Sequence, residues 1–143
     1  MPTLRARRFV AGGILPLLLP ISDSVHAQQI ACTGTQKPQL VAELMFGGKI
    51  VDRDPVTDEE WESFLDQEIT PRFPGGLTVL SGAAQWRDAA SSKIVREPSK
   101  MVVIVLPGKP EDVVQIDEIA QAYKSRFKQQ SVGIILRPAC VSF

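Results

Sequence analysis

Met101-Val-Val-Ile-Val-Leu106 is apolar at every position. A short run of this kind reads as a strand with no solvent side, so it is expected either covered on both faces or central in its sheet. Upstream, the strand extends back to Lys93, with Pro98 marking a bulge or break because it cannot donate to a ladder. Ala89 to Ser92 suits a hairpin loop. Leu77 to Trp86 reads as the partner strand, with Gly82 as a bulge position, and Pro74-Gly75-Gly76 is the turn before it.

Further upstream lies a strong helix start. Thr57 stands as N-cap with Glu60 completing a capping box, and Asp58 and Glu59 sit favourably against the helix dipole. Val56 and Trp61 occupy the two positions of a hydrophobic staple. Trp61, Phe64, Leu65 and Ile69 mark one apolar face, and Pro71 ends the helix. Before it, Leu40 to Phe46 reads as a buried strand closed by Gly47-Gly48.

Downstream, a second helix follows Pro110, with Val113, Ile116, Ile119, Ala120, Tyr123 and Phe127 at helical spacing and Lys124, Arg126 and Lys128 in its last turns. Ser131 to Leu136 is the final strand. The order β-α-β-β-α-β predicts an α+β ferredoxin-like sandwich: a four-stranded antiparallel sheet with two helices on one face.

With 143 residues, 44% of them hydrophobic and 22% charged, the chain is expected to fold as one domain. Basic and acidic residues balance at 16 each, so nothing points to nucleic acid. The first 27 residues differ in kind. Arg5, Arg7 and Arg8 precede an apolar run from Phe9 to Ile21, and Val25-His26-Ala27 supplies a cleavage site, the layout of a secretory signal. The run is too short, and too broken by Pro16 and Pro20, for a permanent membrane span. Twin-arginine export through Arg7-Arg8 and lipidation at Cys32 are the competing readings, against which stand poor flanking residues and Gln29. The expected plan is a leader at 1–27, a linker at 28–39 and a domain at 40–143, in the periplasm or outside the cell.

Cleavage removes Arg5, Arg7, Arg8 and Asp23 and leaves 13 basic and 15 acidic residues. It also removes His26, the only histidine. Mechanisms that use imidazole as general base or metal ligand then lose their central part, and no metal or cofactor is expected. Cys32 and Cys140 read as a disulfide in an oxidising compartment. They flank the first and last strands, which the ferredoxin-like plan makes antiparallel neighbours, so fold order and cysteine placement agree.

Thr70-Pro-Arg-Phe-Pro-Gly-Gly-Leu-Thr-Val-Leu80, Gln85-Trp-Arg87, Arg96-Glu-Pro-Ser-Lys100 and Ala139-Cys-Val-Ser-Phe143 resemble an uncharacterised bacterial family of exported proteins, the domain of unknown function three-five-seven-four. The resemblance covers roughly residues 40 to 143. It implies an exported bacterial setting and brings no activity, ligand or catalytic residue with it.

The candidate ligand-binding cluster is Arg72, Gln85, Trp86, Arg87, Arg96, Glu97 and Lys100, on the hairpin or the loop leading into it. If Asp88 pairs with Lys93, then Gln85 lies opposite Arg96, and Gln85, Arg87 and Arg96 share one face able to hold a carboxylate or phosphate by forked hydrogen bonds. A solvated sheet face with Arg-Glu pairs is the bland alternative. Trp61 reads as core; Trp86 is balanced between core and pocket. Ser99 and Lys100 are adjacent on a strand and point to opposite faces, so they form no dyad. Ser125 and Lys128 have the serine-lysine spacing of penicillin-binding enzymes without the accompanying motifs. Glu59, Glu62 and Asp66 read as a solvated helix side.

The expected function is an exported binding or interaction module for a small anionic ligand or a partner protein, with a homodimer through the open sheet face as one arrangement. The alternative is a histidine-independent enzyme of dimeric ferredoxin-like type with an apolar pocket, using arginine or Tyr123.

Overall fold

A computed structural model describes residues 31–143. The expected leader, 1–27, lies outside the described residues. The elements run β1 (Lys37–Gly47), α1 (Asp58–Phe64), a π-helical turn (Leu65–Ile69), β2 (Thr78–Arg87), β3 (Ile94–Val105), α2 (Asp112–Phe127) and β4 (Gly133–Val141). The sheet order is β2-β3-β1-β4, with every neighbouring pair antiparallel. This is the ferredoxin-like arrangement the element order predicts.

The apolar stretch of β3 is central in the sheet, flanked by β2 and β1. Val102, Ile104 and Leu106 are buried on the helix side, whereas Met101, Val103 and Val105 are half-buried on the other face. Leu44 and Phe46 of β1 share the buried side and meet Trp61 and Phe64 from α1 and Ile116, Ile119, Tyr123 and Phe127 from α2. Phe46 lies 4.7 Å from the Tyr123 ring and 5.2 Å from that of Trp61, centroid to centroid, so the core is an aromatic cluster with edge contacts.

The helix start is as expected. Thr57 Oγ1 accepts from Glu60 N–H, and Glu60 Oε2 accepts from Thr57 N–H, closing the capping box. Its end is not regular. After Phe64 the chain takes one wider turn, in which Thr70 N–H donates to Leu65 O five residues back at 2.9 Å. That extra residue swings Ile69, which an α-helical period would leave at the edge of the face beside Leu65, fully into the core.

Several boundaries differ from the sequence reading, and proline direction explains two of them. β3 passes Pro98 without bulge or break, paired with Ala83. The Pro98 carbonyl accepts from Gly48 N–H on the β1 side, so the missing donor also points that way, past the last paired residue of β1, and the β2 ladder loses nothing. Gly82 sits in register opposite Ser99 and forms no bulge. β4 runs on through Pro138 to Val141, because Pro138 turns its nitrogen away from β1. β1 starts at Lys37, its polar beginning paired with the end of β4. In α2, Val113 is 40% exposed and Asp112 is buried in its stead, with Oδ2 accepting from Gly108 and Lys109 N–H.

Cys32 and Cys140 form a disulfide, Cα atoms 5.5 Å apart across 108 positions of sequence. It ties the segment leading into β1 to the end of β4, at one margin of the sheet.

Candidate functional site

The β2–β3 hairpin carries the core of the candidate cluster. Its tip is fixed by Asp88, whose Oδ1 accepts from Ser91 N–H at 2.7 Å and from Ser91 Oγ at 2.6 Å, while Ser92 N–H donates to Asp88 O. These bonds, the Ser91 hydroxyl first, hold the Asp88 carboxyl below the usual aspartate range. Asp88 N–H donates to Lys93 O, which sets the register Gln85 to Arg96, Trp86 to Val95 and Arg87 to Ile94.

Directly paired residues share a face. Gln85, Arg87 and Arg96 therefore lie together on the helix side of the sheet, in a part of the hairpin the helices leave open, since all three are exposed. Arg87 and Arg96 are diagonal neighbours, with Cβ atoms about 7 Å apart by sheet geometry. Among the described residues neither has a carboxylate within salt-bridge distance. The other four arginines there are engaged. Arg53 holds Glu60 at 3.0 Å, Arg72 holds Glu68 at 3.0 Å, Arg126 donates to Gln67 and Ser63, and Arg137 holds Glu43 at 2.7 Å. The face is solvated, as the bland alternative has it, but the Arg-Glu pairs of that reading are not present there among the described residues.

The rest of the predicted cluster disperses. Lys100 shares the face of Arg96, but its Nζ is occupied by Asp58 Oδ1 at 2.9 Å and Ser81 Oγ at 3.1 Å. Arg72 bridges the π-helical turn to α2 through Glu68 and Glu118. Trp86 and Glu97 fall on the opposite, open face of the sheet. There they help line a cleft of about 610 Å³, whose far wall is Lys49, Val51 and residues 128–131. Glu97 Oε2 accepts from Lys49 N–H at 2.7 Å, and Gln129 Nε2 donates to Lys49 O at 2.6 Å. A Cβ on Gly47 would come 2.6 Å from Glu97 Oε1, so the glycine makes room for this carboxylate. That Lys49 and Gln129 line this cleft was not legible in the sequence. Only Gly47-Gly48 hinted at close packing there.

Ser99 and Lys100 point to opposite faces, Ser99 Oγ donating to Phe46 O. Glu59, Glu62 and Asp66 are exposed. Tyr123 donates its hydroxyl to Gly47 O at 2.8 Å, and burial, reinforced by the charges of Glu97 and Glu60, pushes its titration well above the usual phenol range, making it a weaker acid. A small cavity of about 20 Å³ beside Trp61 and Tyr123 has room for one water, and Trp61 Nε1 is a buried donor without a protein partner next to it.

Comparison with known proteins bears on the whole domain. A family model described as "Protein of unknown function (DUF3574)" matches residues 41–143. The chain belongs to the DUF3574 family. No curated protein matches it by sequence. Among solved structures this DUF3574 domain is similar to a phage SAM lyase in complex with S-methyl-5'-thioadenosine, at 16% identity and a TM-score of 0.56, covering 80% of this chain and 95% of that one. A phage SAM lyase in its apo state matches at 17% identity and a TM-score of 0.54, covering 80% of this chain and 91% of that one. CutA from Synechococcus elongatus, complexed with Bis-Tris, matches at 14% identity and a TM-score of 0.48, covering 75% and 87%. At such identities the likeness is one of fold.

Proposed function

We propose that this DUF3574 protein is an exported binding module that takes an anionic group, a carboxylate or phosphate of a small molecule or partner protein, on Gln85, Arg87 and Arg96. The observation that carries the reading is the pair of exposed guanidiniums, diagonal on one face and lacking a carboxylate among the described residues, in a molecule whose other described arginines are engaged. Two like charges held side by side repel each other, and an anion between them relieves that repulsion while accepting forked hydrogen bonds. Gln85, directly opposite Arg96, adds a neutral donor.

Export is supported by the disulfide and by the leader-like first 27 residues; among the described residues no helix is long and apolar enough to cross a membrane. The enzyme alternative draws less support. Its candidate hydroxyl, that of Tyr123, is buried, held neutral and already bonded to Gly47 O.

Calorimetric titration of the oxidised protein with inorganic phosphate and with citrate tests the reading. Binding is expected for at least one anion, and Arg87→Ala with Arg96→Ala is expected to weaken it at least tenfold, since each charged hydrogen bond contributes about 1.5–3 kcal/mol. Unchanged affinity in the double variant removes the hairpin from consideration.

A further inference from the structure

The two margins of the sheet are not alike. In an antiparallel ladder the N–H and C=O of successive residues point alternately to either neighbour. Leu106 N–H donates to Leu40 O, so Leu40 faces β3 and its opposite number on β4, Pro138, faces outward. Proline there withholds a donor from the free edge, a common device against strand addition. By the same alternation, the bond from Asp88 N–H to Lys93 O turns Val79, Ser81, Ala83, Gln85 and Arg87 of β2 outward. This edge has no proline, no lysine and no bulge, and its register with β3 is unbroken from Thr78 to Arg87. It is a template for another strand.

We propose that β2 pairs with β2 of a second copy of this chain, antiparallel about a two-fold axis at Ala83. The occupant follows from the side chains that this register brings together. Ala83 meets its own copy, and Gly82 meets Ala84, so the centre is small and permits close approach. On the open face Leu80 lies opposite Trp86, two residues that are 51% and 44% exposed in the single chain. They meet at a pair without mutual backbone bonds, where side chains approach most closely. On the other face Arg87 meets Val79 and Ser81 meets Gln85, so no like charges stand opposite each other. Such an isologous contact closes on itself at two copies. Stacking two molecules by their open faces is disfavoured, because that face carries Glu97 and the Glu43–Arg137 pair, whose burial would cost solvation.

Sedimentation equilibrium of the oxidised protein over a series reaching high micromolar concentration is the test. A monomer–dimer equilibrium is expected. Ala83→Pro removes the outward N–H at the axis and leaves the β3 ladder intact, so it is expected to abolish the dimer with an unchanged circular dichroism spectrum. Trp86→Lys, far from the core, gives an independent reading should the proline disturb the fold, and is expected to weaken the dimer at least tenfold. A monomer at every concentration, open-ended larger species, or a dimer that survives these changes overturns the proposal.

Discussion

Tyr123 joins three parts of the molecule at one side chain. Its ring packs between Phe46, Phe64 and Phe127, and its hydroxyl reaches the Gly47 carbonyl at the end of β1. Replacing it with phenylalanine keeps the ring and deletes the bond, which is expected to cost about 1 kcal/mol at neutral pH by urea unfolding. The folded phenol titrates above its ordinary value of 10.0. A raised value stabilises below the unfolded one and loses that stabilisation as pH climbs through the shifted range. Stability of the natural protein should therefore fall as pH rises past about 10, and the Tyr123→Phe variant should lack that part of the decline. Equal alkaline slopes in the two proteins would contradict the assignment.

At the scale of elements, local chemistry was the most legible. The capping box and staple placed the start of α1 at the right residue, because Thr57, Glu60, Val56 and Trp61 act within a few positions of one another. Thr57→Ala is expected to cost about 1 kcal/mol in chemical denaturation. The Asp88 turn likewise set the hairpin register. Features that depend on what lies across the sheet were not legible. Whether Pro98 or Pro138 breaks a strand depends on which neighbour its nitrogen faces, and sequence does not record that direction. The π-helical turn after Phe64 was missed because Leu65 and Ile69 fit an α-helical stripe about as well. Val113 follows the same stripe yet is exposed, displaced at the helix start by the buried Asp112 carboxylate that caps the loop before it.

Across the whole molecule, the Cys32–Cys140 bond joins positions 108 apart and closes nearly all the described chain into one loop. Chain-entropy arguments assign it on the order of 4 to 5 kcal/mol, comparable to the net stability of a small domain. Reduction and alkylation should lower the urea midpoint sharply; an unchanged midpoint would mean that the sheet margin is held without it. Fold order and cysteine placement were both readable because each follows from the sequence of elements. The candidate site was readable only in part. Gln85, Arg87 and Arg96 were grouped correctly from register, whereas Arg72 and Lys100 are held by carboxylates on α1, α2 and the π-helical turn whose proximity only the packed structure supplies. The measurement that bears most directly on the proposed anion site is the arginine Nε–H region of a nitrogen-correlated NMR spectrum during phosphate titration. Arg87 and Arg96 should shift together while Arg53, Arg72, Arg126 and Arg137 stay in place. Uniform movement of all of them, or none at all, would contradict the account.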